Sequence, residues 1–290
     1  MKARKIMVLC AIILCFALLV PVASHFSKQQ LTTPAVAVSE RIVTRMTVQN
    51  AQAAFEATEV IYSNLIEIVG EEIESFDSPD DSDEFFVEEA TEALMELNEY
   101  VQTLEDLLAS IKDLNANADT PDGLTVLAVR EYMTLLINIS KDLSELVEYS
   151  IELYKALIAF DELGEDFSSY EEIAEAIYYA SSNSLSMLEN ITAPAYLSIT
   201  HNDLILRFEE LEDFCVDFYI AAELDDPLRL YSCFSRMNRI EMQINRCADN
   251  LDDDLQLQFN QAERRLMGQV TTLRNELKSN IATLLSALGG

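Results

Sequence analysis

The chain has 290 residues, with 51 Asp or Glu against 19 Lys or Arg, a net charge of −32. A field of that sign repels phosphate backbones and anionic lipid surfaces, which excludes nucleic-acid binding as a class. Six glycines, six prolines and five cysteines are too few breakers for a sheet with its turns, and too few thiols for a disulfide scaffold.

Lys2, Arg4 and Lys5 precede an uncharged apolar run from Ile6 to Ala23, and Val22, Ala23 and Ser24 end it with small residues. A basic start, an apolar centre and a small-residue end are the parts of a secretory signal, here with cleavage expected after Ser24. At 18 residues the run also reaches the lower limit for spanning a bilayer, so residues 1–24 read as a signal peptide or a retained signal anchor. In both cases the basic end stays inside and the rest lies outside. The expected location is extracytoplasmic (cell surface, periplasm or secreted), with residues 6–23 as membrane anchor if they are retained. Cys10 and Cys15 lack the preceding small residues of a lipoprotein signal. No comparable apolar run follows, and residues 25–33 read as a polar tether.

Pro34 suits the first turn of a helix that runs to about Glu74. The turn-forming acids of residues 77–84 interrupt it. The next segment carries Val87, Ala90, Leu94, Leu97, Val101, Leu104, Leu108 and Ile111 at alternating spacings of three and four. That rhythm lays one apolar stripe along a helix, the pattern of knobs-into-holes packing. Residues 115–123 stop it, and the third segment repeats it from Val129 through Tyr132, Leu136, Ile139, Leu143 and Leu146 to Phe160, with Gly164 placed as a C-cap. Ser169 and Glu172 form a capping-box pair that opens the fourth segment, striped by Ile173, Ile177, Ala180, Ser184, Met187 and Ile191. After Pro194 the fifth carries Leu197, His201, Leu204, Phe208, Leu211, Cys215, Phe218 and Ala222. Asp226 and Pro227 give an N-cap and first turn to the sixth. Its stripe, Cys233, Met237, Ile240, Ile244, Cys247 and Leu251, continues through Leu255 and Phe259 to Leu284.

The expected fold is therefore all-α: an elongated antiparallel bundle of about six helices with coiled-coil-like packing, after an N-terminal signal or anchor helix. Residues 34–164 form an acidic three-helix segment, and 165–290 a second helical segment ending in a long helix. Charge is uneven across them. Between Arg45 and Arg130 one base, Lys112, faces 21 acids, whereas Arg229 to Lys278 holds eight bases and seven acids.

Few residues suggest chemistry. His201 sits on an apolar stripe, but a general base needs an orienting partner and a metal needs several ligands. The residue three before it is Ser198, not the glutamate of a di-iron helix, so a satisfied core histidine is expected. The acids of 77–84 and Asp252-Asp253-Asp254 lack the glycine and terminal glutamate of a calcium loop and read as solvated turns. Asn138 and Asn190 match glycosylation sequons, and Tyr178-Tyr179 and Phe218-Tyr219 read as core and rim packing. Cys215 and Cys233 fall at similar distances either side of the Asp226-Pro227 turn, so a bridge leaving Cys247 over competes with three buried thiols, the preferred reading. No catalytic, cofactor-binding or metal-ligating residue is assigned, and no cofactor is expected. The expectation is an exported, non-enzymatic structural or protein-interaction module. Its partners are another protein or itself, and the membrane through an uncleaved N-terminus, never nucleic acid. The alternative is an extracytoplasmic bundle that binds a small molecule or lipid, with His201 and Ser150 lining its pocket.

Overall fold

The computed structural model describes residues 38–75, 83–161 and 167–289; the leader, the tether, most of the 77–84 loop and Gly164 lie outside them. The described residues are helical, without a strand among them, and pack into an all-α, bundle-like architecture. The helices are α1 (Val38–Ser75), α2 (Asp83–Ser110), α3 (Pro121–Asp161), α4 (Tyr170–Asn190), α5 (Ser198–Glu223) and α6 (Pro227–Arg264). A single π-helical turn, Arg265–Val270, joins α6 to α7 (Thr271–Gly289). These residues gather into two compact units, each assembled from separated stretches of chain. Among the described residues, one takes Glu71–Glu96 and Asp142–Gln261, the other residues 38–70, Leu97–Lys141 and 262–289.

The helix ends follow local chemistry. Just past the end of α2, the Arg130 guanidinium donates to the carbonyls of Ile111, Lys112 and Leu114, where the helix no longer continues to supply amides in regular order. Pro121 occupies the first position of α3, and the Thr120 hydroxyl accepts from Gly123 N at 3.3 Å. Gly123 is required there: a Cβ would lie 2.1 Å from the Asn117 carbonyl oxygen, a backbone atom that cannot step aside. The capping box before α4 forms with a shift of one residue. Ser169 Oγ accepts from Glu172 N, while the Glu172 carboxylate accepts from Ser168 N at 2.8 Å. Helix α5 ends in a Schellman turn, Asp226 N to Ala221 O and Asp225 N to Ala222 O, with Asp225 in the left-handed region at φ 48°. The Asp226 carboxylate then caps α6 by accepting from the amides of Leu228 and Arg229.

The predicted stripes are the buried faces. Along α2, Ala90, Leu97 and Leu104 are buried, as is Ile111 just past its end, and all eight predicted positions from Leu197 to Ala222 of α5 and its cap are buried. Helix α3 exceeds its prediction: Met133, Ile137, Val147, Ile151 and Tyr154 are buried besides the stripe, so the helix is enclosed on most sides. In the first unit, Leu146, Tyr149 and Leu153 of α3 pack with Leu185, Leu188, Leu204, Phe208 and Leu251. A second cluster there joins α4, α5 and α6 through Ala174, Leu211, Phe214, Phe218, Cys233 and Ile240.

Candidate functional site

His201 enters the core of the first unit on the buried stripe of α5, 3% exposed. Its Nδ1 lies 3.0 Å from the Tyr149 hydroxyl and its Nε2 3.1 Å from the Leu188 carbonyl oxygen. A carbonyl only accepts, so Nε2 carries the proton and Nδ1 accepts from the phenol. Burial pushes the imidazole pKa below its ordinary value, and the bond to Leu188 O offsets this only in part. The ring is a neutral strut tying α5 to α3 and to the end of α4, with no nitrogen open to a substrate or metal.

In the second unit the structure assembles a polar cluster that no spacing rule marks. Glu59 of α1 accepts from Arg274 Nε and Nη2 of α7, both at 2.7 Å, and from Lys278 Nζ at 2.5 Å. The bidentate fork suits a planar carboxylate, and the Arg274 guanidinium also sits over the Tyr62 ring, 4.5 Å from its centroid. The Tyr62 hydroxyl meets Thr271 Oγ1 at 2.7 Å. Thr271 Oγ1 in turn donates to the Leu266 carbonyl, five residues back in the π-helical turn. Burial raises the Glu59 pKa, but the hydrogen bonds and charges of Arg274 and Lys278 outweigh it and hold the carboxyl below its usual value. Beneath lies fully buried Tyr132, its ring 5.3 Å from Phe55. The Tyr132 hydroxyl lies beside Thr58, near enough for the two to interact but without a hydrogen bond of normal geometry. Burial, then the Glu59 charge, pushes the phenol pKa up, so it is a poor proton donor. Two cations satisfied by one carboxylate, over a protonated phenol, make a clamp between helices.

The remaining residues singled out in the sequence separate. Cys215, Cys233 and Cys247 are buried free thiols. Burial, followed by the Glu212 charge, raises Cys215 to about 12, which makes it inert. Asp252 is buried and accepts from Gln256 at 3.0 Å, Asp254 accepts from Thr200 at 2.7 Å, and Asp253 faces solvent, so the three acids do not converge. Among the described residues no group of three or more His, Cys, Asp or Glu could hold a metal ion. Nor is any described helix long and apolar enough to cross a membrane. Asn138 and Asn190 are exposed, the latter donating to Ser186 O. Phe218 is core, while Tyr179 and Tyr219 lie at the surface.

What spacing rules overlook is the far side of the α5–α6 hairpin. Two residues along a helix is about 200° of rotation, so positions offset by two from a buried stripe face away from it. On α5 those positions hold Ile199, Leu206, Val216 and Ile220, and on α6 Tyr231 and Met242, with Leu228 three residues before Tyr231 on the same side. Ile199 is 79% exposed, Leu228 82%, Tyr231 76% and Met242 65%. A second apolar seam on each helix is therefore left to solvent, an arrangement that marks interaction surfaces. No family model matches this chain, and no curated protein or solved structure resembles it.

Proposed function

We propose that the chain is an exported, non-enzymatic helical-bundle protein that acts as an interaction module outside the cytoplasmic membrane. The observation that carries this reading is the outward α5–α6 face, where large apolar side chains stand exposed along two neighbouring helices of a strongly acidic chain. Solvation alone would favour glutamate at those positions. The export half rests on the Lys2–Ser24 pattern. The small-molecule alternative draws nothing from its two named lining residues. Both His201 nitrogens are engaged within the core, and the Ser150 hydroxyl donates to Leu146 O at 2.9 Å.

Two measurements test the halves separately. Residues 1–40 fused to a reporter active only outside the cytoplasm should yield activity; an inactive reporter with the fusion retained in the cytoplasm overturns the export half. The full-length chain used as bait on envelope fractions should recover a protein partner or its own copies, and Tyr231→Asp should lower that recovery. Recovery of nothing, together with a monomer in sedimentation, overturns the interaction half.

A further inference from the structure

We propose that the occupant of the outward α5–α6 face is a second copy of this chain, in a two-fold dimer that lays each copy's α5 on the other's α6. The inference rests on the interaction reading above and names its partner.

Charge complementarity carries it. Along its outward face α5 presents Ile199, Leu206, Glu209, Asp213, Val216 and Ile220, and the whole helix has seven acids and one arginine. Helix α6 presents Leu228, Tyr231, Arg239, Met242 and Arg246. Between Pro227 and Ala248 it has four arginines and a single acid, Glu241. The spacings 3, 4, 3, 4 from Leu206 to Ile220 and 3, 4, 4, 3, 4 from Leu228 through Ser235 to Arg246 are those of a helix-packing seam. Both seams thus alternate apolar and charged positions, the charges acidic on one helix and basic on its neighbour. The Arg236–Asp217 ion pair bridges the two helices at the border between the strips.

An acidic strip beside a basic strip is self-complementary. A two-fold axis along their border turns the pair over and places acid on base twice, the isologous contact typical of homodimers. The antiparallel hairpin, with Asp217 level with Arg236 and Thr200 level with Asp254, then brings Glu209 and Asp213 of one copy near Arg239 and Arg246 of the other. Area agrees. Helix α5 has 26 residues, about 39 Å of length, and two strips about 10 Å wide cover about 800 Å², the share per partner of a standard interface. The net charge of −32 opposes association at long range, but in about 0.15 M salt the Debye length is about 8 Å, and contact pairs outlast the distant field.

The test is a charge swap in the full-length chain, purified from the cell fraction that holds it and carrying either of two tags. Glu209→Arg with Asp213→Arg makes one variant, and Arg239→Glu with Arg246→Glu the other. All four residues are exposed, and an unaltered circular-dichroism melt confirms folding. Wild type should sediment as a dimer and co-capture across tags. Each variant paired with itself should bind about tenfold or more weakly, because both strips then oppose like charges. The two variants mixed should recover wild-type pairing, since one strip is inverted and the other native. A wild type that stays monomeric, or a mixture no tighter than either variant alone, overturns the dimer. If wild type is monomeric yet captures a different protein through Tyr231, the interaction reading survives with another occupant; if it captures nothing, both fall.

Discussion

Each unit places a polar group between helices, and the two solve the same problem in opposite ways. In the first, His201 is buried and uncharged, bonded to Tyr149 and Leu188. In the second, Glu59, Arg274 and Lys278 keep their charges, with the Glu59 side chain 22% exposed. A neutral group can be enclosed because desolvation costs it little once both nitrogens are bonded. A carboxylate between two cations retains partial contact with water because complete burial of three charges would cost more than their attraction returns. The lesson is that the buried histidine is set against protonation, whereas the charged clamp is set against neutralisation.

Both connections weaken in acid, in different windows. The His201 pKa is lowered in the fold, so below about pH 6.5 the unfolded chain takes up a proton that the native chain refuses. Stability therefore falls as pH drops through and below that value. The Glu59 pKa is also lowered, and its contribution is intact above about 4.5 and lost as pH falls further.

The comparison can be broken at its base by removing the apolar packing of one unit. Leu104→Asp puts a charge at a fully buried seam position of the second unit and should cost about 4 kcal/mol or more, read as a collapse of the melting temperature. A small effect would disprove the seam. His201→Leu sharpens the contrast. It withdraws the acceptor from Tyr149 and the donor from Leu188 O, should cost about 2–3 kcal/mol, and should flatten the stability profile between about pH 7 and 5. An unchanged profile there would mean that His201 titrates normally in the fold. Glu59→Gln should cost about 1 kcal/mol, given partial exposure, and remove part of the loss below about pH 4.5 while leaving the neutral-pH window alone. Smallest is Glu105→Lys, one residue from Leu104. It gives up an exposed ion pair with Lys141 and should cost less than about 1 kcal/mol. A separate check concerns the thiols. Alkylation of unreduced, unfolded protein should modify Cys215, Cys233 and Cys247 together, and a protected pair would mean a bridge.

Local pattern was enough for the helices. Threes and fours from Val87 to Ile111 and from Leu197 to Ala222 dictate which side is apolar, and water then decides which side is buried. Ser169 and Asp226 announced helix starts because a cap is a contact within four residues. The nature of His201 was legible for the same reason: an apolar stripe surrounds it, and no second ligand stands at helical spacing. The Glu59 clamp was not legible, because Glu59 and Arg274 are 215 residues apart and 51 acids offer no local reason to choose one. The enclosure of α3 on most sides, the π-helical turn above Thr271 and the grouping of distant stretches into two units likewise depend on which helices meet. The outward seam of α5 and α6 lies between. Its residues can be read from the sequence, but an apolar residue two places off the stripe counts as exposed only once packing has shown that no other helix covers it. Periodicity fixes direction around one helix axis; the partner on that side is chosen by the sum of contacts across the whole chain.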